Sequence, residues 1–175
     1  MTGIYTDNNF LEPSCIQHLI RYAQTTSDWV ITEDSWSEKF IHLNTITDKN
    51  IKNIISKIAN DVKIVVEHTE NVLVSIETCQ LVRWRKGDKL DPPHADCEHL
   101  DGSPHPYPNR HYSALVYLNS NYTGGQIFFP NQNLMPETKP GTLIQFKGTA
   151  EYLHGVTEVT DGERYTIVMF LTKND

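Results

Sequence analysis

The run His94-Ala95-Asp96, followed by His154 and then by Arg164, constrains this chain more than any other feature. Two imidazoles and one carboxylate are the ligand set of the 2-His-1-carboxylate facial triad, which holds Fe(II) on one face and leaves the opposite face open for chemistry. Asp91-Pro92-Pro93 forces extended backbone just ahead of His94, because proline fixes φ and disfavours helix at the residue before it. Along an extended segment, positions i and i+2 project to the same side, so His94 and Asp96 point together while Ala95 points away. The third ligand must come from another strand. His154 meets that need, since it follows the strand-like run Gly141-Thr142-Leu143-Ile144-Gln145-Phe146. A barrel holding iron is the first reading, but with eight histidines in the chain an H-x-D alone carries little weight.

Arg164 adds weight. It opens the apolar run from Tyr165 to Leu171, and Thr160-Asp161-Gly162-Glu163 ahead of it is a hairpin signal. A two-residue turn at Asp161-Gly162 pairs Val159 with Arg164 and puts Arg164 on the face opposite His154. A three-residue loop, Asp161 to Glu163 with Gly162 at positive φ in a bulge, pairs Thr160 with Arg164 and brings both side chains to one face. The second geometry is the expectation. An arginine inside a barrel needs a counter-ion, and a carboxylate ligand is the natural one. Thr166 shares the face of Arg164 and is a further candidate to hydrogen-bond that carboxylate.

From about Leu81 to Thr172, half of its length, the chain resembles the prolyl hydroxylase branch of the 2-oxoglutarate and Fe(II)-dependent dioxygenases. The runs His94-Ala95-Asp96-Cys97, Tyr112-Ser113-Ala114-Leu115-Val116-Tyr117-Leu118-Asn119 and Gly124-Gly125-Gln126-Ile127-Phe128 are particularly similar to the catalytic domains of prolyl 3-hydroxylases. The resemblance implies that His94, Asp96 and His154 bind the metal, and that Arg164 binds the distal carboxylate of 2-oxoglutarate where prolyl 4-hydroxylases often have Lys. It implies that Tyr117 hydrogen-bonds the same cosubstrate. Trp84 stands where the family commonly has a tyrosine, and an indole N–H can donate but cannot accept. The cofactors implied are Fe(II), 2-oxoglutarate and O2, with ascorbate as reductant. Related halogenases carry a small residue in place of the carboxylate, so Asp96 favours hydroxylation.

Composition bounds the alternatives. The length, 175 residues, suits a single domain spanning 1–175, with helical support and early strands in 1–70 and the barrel core in 71–175. A net charge of −7 is a poor footprint for nucleic acid. Cys15, Cys79 and Cys97 form no disulfide framework and fit a reducing compartment. Neither a basic leader nor a spanning apolar stretch is present, so a cytoplasmic location with no membrane partner is the expectation.

Ile16, Leu19, Ile20 and Ala23 recur at helical spacing after Glu12-Pro13-Ser14, and the stripe Ile51, Ile54, Ile55, Ile58, Ala59, Val62, Val65, Val66 defines a longer helix capped by Asp48. Both are expected to pack outside a sheet. Strands are expected over 72–85, 112–119, 126–129, 142–146, on both sides of Asp161-Gly162, and as an early pair over 29–31 and 40–43. The fold expected is α+β: a double-stranded β-helix, the cupin-like jelly-roll barrel, with N-terminal supporting helices. The proline-rich stretch 97–110 is either an ordered loop at the barrel mouth or a solvated connector. His99 and His105 carry no assigned role, Cys97 is expected to be a small packed residue, and Gly124-Gly125 to be turn chemistry.

The function expected is hydroxylation of proline in a peptide or protein. The alternatives are hydroxylation of a free amino acid or other small molecule, a metal-dependent hydrolase, which has no use for Arg164, and a non-catalytic jelly-roll binding module, which has no reason to keep ligands and arginine together. Trp29, Trp36, Trp84 and Tyr107 are the aromatic residues available for a peptide surface.

Overall fold

The computed structural model describes residues 3–174; Met1, Thr2 and Asp175 lie outside the described residues, and with them the start of the N-terminal segment considered above. Strand β1 (Tyr5–Asp7) and helix α1 (Pro13–Thr25) are followed by β2 (Phe40–His42) and helix α2 (Lys49–Glu70). The remainder is β3 (Val74–Arg85), β4 (Leu90–His94), β5 (Tyr112–Tyr117), β6 (Tyr122–Gly124), β7 (Ile127–Phe128), β8 (Leu143–Lys147), β9 (His154–Val156) and β10 (Val159–Lys173), joined by loops and short 3-10 turns.

The strands form two sheets with antiparallel pairing throughout. The larger has the order β1-β8-β5-β10-β3-β2, with β6 paired to the early part of β10, and the smaller has the order β4-β9-β7. Period-two alternation divides the side chains of the larger sheet between two cores. Tyr165, Ile167, Met169 and Leu171 of β10 point outward, where they pack with Leu81, Ala114 and Val116 against the apolar stripes of both helices. Val82, Trp84, Leu115, Tyr117, Ile144 and Phe146 point inward and meet Ile127 and Val156 of the smaller sheet. This is the jelly-roll barrel with outer supporting helices. Among the described residues, no helix is long and apolar enough to cross a membrane.

Helix α2 begins where its sequence dictates. The Asp48 carboxylate accepts from the backbone N–H groups of Asn50 at 2.8 Å and Ile51 at 3.1 Å, a cap worth about 1 kcal/mol. The helix ends at Asn71 in the left-handed conformation, φ 53°.

Three expectations need correction. First, Asp161-Gly162 is not a hairpin: Val159–Lys173 is one continuous strand, and Thr160 does not pair with Arg164. The pair follows a bulge at Thr160 and is itself in register with Thr123 and Tyr122 of β6, with Gly162 at φ 75° and so close to Asn121 that a Cβ would lie 2.6 Å from its carbonyl oxygen. A glycine at positive φ fits a strand just past a bulge as well as a turn, and the pairing with β6 decides between them. Second, residues 29–31 form no strand; Val30 exchanges isolated backbone hydrogen bonds with Phe40 and Glu38. Third, β1 and β6, each three residues long, have no counterpart in the expected strands.

Candidate metal and cosubstrate site

The pairing of β4 with β9 places His94 directly opposite His154, with ring centroids 4.7 Å apart. Asp96 lies just beyond the end of β4, where its backbone N–H donates to the Gly148 carbonyl at 2.8 Å. Its Oδ1 is 3.3 Å from His94 Nε2 and its Oδ2 is 3.5 Å from His154 Nε2. Ligand atoms of all three residues lie within 4.8 Å of one another.

The protonation of this cluster suits a metal. His154 Nδ1 is 3.1 Å from the Tyr152 carbonyl, and a carbonyl only accepts, so Nδ1 carries the proton and Nε2 presents its lone pair to the cluster. Burial holds the His154 imidazole below its ordinary pKa, against the attraction of Asp96, and so keeps it neutral. Burial raises the Asp96 pKa, but hydrogen bonds from His94 and Ser113 with the nearby His154 outweigh it, and the net shift is downward. Phe146 packs on the His154 ring at 4.6 Å between centroids and fixes its orientation. Two imidazoles and an ionised carboxylate on adjoining strand ends fit Fe(II).

The cluster opens into a cavity of about 470 Å³. Arg164 lines its deep end, inward-facing on β10 and opposite Trp84 of β3, and is 2% exposed. The expected convergence of His154 and Arg164 is therefore real, but the two come from facing sheets and not from one hairpin. Arg164 Nη2 donates to the Tyr117 hydroxyl at 3.0 Å. Among the described residues Arg164 has no carboxylate partner, and Arg164 Nε, Trp84 Nε1 and Thr166 Oγ1 are buried polar atoms with no hydrogen-bond partner. Thr166 is opposite Tyr117 across the β10–β5 ladder, so these four side chains form one neighbourhood. A buried cation with unsatisfied donors around it is costly unless an anion completes it, and the carboxylate of 2-oxoglutarate fits that role. Gly125, at φ 64°, leaves room for this arrangement: a Cβ would lie 3.0 Å from Arg164 Cδ.

The outer part of the cavity is lined by Thr32, Asp34 and Trp36 and by Tyr107 and Arg110. Stretch 97–110 thus supplies part of the mouth. The Arg110 guanidinium lies 3.7 Å from the Tyr107 ring centroid and 3.9 Å from that of Phe170. Trp29 is absent from this surface; it is buried beneath Arg83, and its indole N–H donates to the Ala23 carbonyl. Cys97 is half-buried, with its thiol pKa raised by burial and by the nearby Glu98 and Asp96. His99 and His105 pack on each other outside the cavity lining.

The chain belongs to the 2OG-Fe(II) oxygenase superfamily, whose sequence model matches residues 79–172. Enzymes of this family use Fe(II), 2-oxoglutarate and O2. Prolyl 3-hydroxylase 2 of Gallus gallus is 33% identical over 100 residues, a match covering 50% of this chain but only 14% of that protein. Among solved structures, a viral collagen prolyl hydroxylase from Paramecium Bursaria Chlorella virus-1, in complex with 2OG, superposes with a TM-score of 0.75 at 19% identity, covering 99% of this chain and 97% of that one. A prolyl hydroxylase from Trichoplax adhaerens, in complex with a hypoxia inducible factor peptide fragment, gives 0.74 at 19% identity, covering 98% and 84%. At such identities these two structures establish the shared fold.

Proposed function

We propose that the chain is a 2-oxoglutarate-dependent hydroxylase of proline in a peptide or protein. One observation carries the enzymatic part: a single cavity has a three-ligand metal cluster along its wall and a buried guanidinium without a protein counter-ion at its deep end. A metal-dependent hydrolase needs only the first of these, and a binding module needs neither.

When bound, Fe(II), 2-oxoglutarate and O2 supply the oxidising chemistry, which couples C–H hydroxylation to decarboxylation of 2-oxoglutarate to succinate and CO2. The protein's share is geometric and electrostatic. His94, Asp96 and His154 would hold the metal. Arg164 and Tyr117 orient the far carboxylate, with Trp84 Nε1 and Thr166 Oγ1 as further hydrogen-bonding atoms. Val82, Leu115 and Val168 line the cavity with apolar surface that excludes water.

The names of the related proteins support a prolyl substrate, and the mouth supports a chain-like one. Trp36 and Tyr107 are exposed aromatic residues on its rim, and a proline-rich segment docks on such surfaces at low ordering cost because polyproline II is already stiff. The proposal places all of 1–175 in one oxygenase domain, with 1–70 as support and early strands and 71–175 as barrel core. The unpaired Cys15, Cys79 and Cys97 support a reducing, cytoplasmic setting, and the net charge of −7 supports a partner other than nucleic acid.

Succinate release should be measured with Fe(II), 2-oxoglutarate and ascorbate against proline-rich peptides and a panel of free amino acids, with mass spectrometry of the products. A peptide gaining one oxygen on a proline ring is the expected result. Hydroxylation of a free amino acid with every peptide unmodified would replace the peptidyl substrate by a small molecule and leave the cofactor assignment standing.

A further inference from the structure

Asp96 is fastened at two points. Its backbone N–H and that of Cys97 both donate to the Gly148 carbonyl, at 2.8 and 3.1 Å, just past the end of β8. Its side chain is fastened by Ser113, a buried residue of β5 whose Oγ donates to Oδ2 at 2.5 Å. An ionised carboxylate has no proton to give, so the hydroxyl is the donor. β5 lies between β8 and β10, and Ser113 is opposite Phe146 on one side and Phe170 on the other, so two ladders lock the position of this hydroxyl.

A carboxylate can give a metal one oxygen or both. Two-oxygen binding consumes space on the face that a facial triad keeps open, and the cosubstrate needs that space. The hydroxyl already occupies Oδ2, in a charge-assisted hydrogen bond that draws electron density from that atom. Oδ1 carries no hydroxyl; it faces His94 Nε2 at 3.3 Å, an atom that is itself a ligand of the same site.

We propose that Ser113 is a positioning residue that holds Asp96 as a one-oxygen metal ligand, keeping Oδ2 engaged and offering Oδ1 to the metal. The inference rests on the metal site under Proposed function and goes beyond it by naming the group that sets how the carboxylate binds.

The test uses Co(II), whose visible absorption reports coordination number, titrated into the wild type and into Ser113→Ala, Ser113→Val, Ser113→Thr and His154→Ala. Loss of an outer hydrogen bond to a ligand typically costs metal affinity about 10–100-fold. Ser113→Ala is expected to weaken Co(II) binding within that range and to shift the spectrum as Asp96 turns to two-oxygen binding. Ser113→Val, the shape of threonine without its hydroxyl, should do the same with the fold kept, as melting of the metal-free protein will show. Ser113→Thr retains the hydroxyl and should restore both affinity and spectrum. Wild-type affinity and spectrum in the Ala or Val protein, or a Thr protein no better than Val, overturns the inference alone. A His154→Ala protein that binds Co(II) as tightly as the wild type overturns the metal site and the inference together.

Discussion

Arg164 Nη2 lies 3.0 Å from the Tyr117 hydroxyl, and among the described residues no carboxylate pairs with the guanidinium. The deep end of the barrel therefore carries a desolvated positive charge in the ligand-free protein. Removing an uncompensated buried charge relieves a desolvation cost, whereas removing it from a ligand's carboxylate leaves that carboxylate buried and unpaired.

Arg164→Met should consequently separate stability from binding. The ligand-free variant is expected to melt no lower than the wild type, while 2-oxoglutarate affinity falls by about 2–5 kcal/mol and metal affinity is unchanged. Calorimetry on protein loaded with a redox-inert metal, beside thermal melts, makes the comparison. Undiminished 2-oxoglutarate binding would mean that the guanidinium serves the fold alone.

Tyr117→Phe tests the other half of the pair. Burial raises the phenol pKa and outweighs the lowering by Arg164, so Tyr117 keeps its proton and can donate to a ligand while accepting from the arginine. Loss of one hydrogen bond to a charged group should weaken 2-oxoglutarate binding by about 1.5–3 kcal/mol. The same titration checks it, and no change would remove the phenol from the cosubstrate site.

Each of His94→Ala, Asp96→Ala and His154→Ala should abolish 2-oxoglutarate turnover, because a facial triad has no spare ligand. Circular dichroism is expected to show α1 and α2 intact, since both pack on the outer core away from the cluster. Iron titration distinguishes loss of metal from loss of fold, and full turnover by any one variant would remove that residue from the ligand set.

At Gly125 the obstacle is steric. Alanine there meets Arg164 Cδ and Val159 Cγ2, each 3.0 Å from the added carbon, at a φ of 64°. Gly125→Ala should cost about 1–3 kcal/mol of stability and weaken 2-oxoglutarate binding more than metal binding. Urea unfolding and calorimetry measure the two effects.

Cys79 sets a pH dependence. Burial pushes its thiol from 9.0 up to about 12, so above pH 9 the unfolded chain loses a proton that the folded chain keeps. The folded state then binds more protons than the unfolded one, and stability falls as pH rises between about 9 and 12, by up to about 1.4 kcal/mol per pH unit from this group. Cys79→Ala should flatten that part of the profile in urea unfolding at stepped pH. An unchanged slope would show that the thiol does not control it.

That His94 and Asp96 face the same way was legible because it is local, whereas His154 meets them only through the β4–β9 pairing. Asp91-Pro92-Pro93 straightens the chain before His94, and alternation alone aligns Asp96 with it. The inward row Arg164, Thr166, Val168 of β10 follows from the same period of two. The continuous strand through Asp161-Gly162, with its bulge at Thr160, was not legible, since the dipeptide accommodates a hairpin equally well and the deciding contact comes from Thr123, far back in the chain. Ser113 was equally hidden: a small polar residue in a strand acquires meaning only from the register that sets it against Asp96.

β10 carries Arg164 at the closed end of the cavity and Phe170 at the open end, so one paired strand fixes the span between them. The rim residues Thr32, Asp34, Trp36, Tyr107 and Arg110 all come from segments outside any strand. The rim is thus built apart from the strands that carry the metal and cosubstrate residues, so loop grafting can recut it without breaking a barrel ladder.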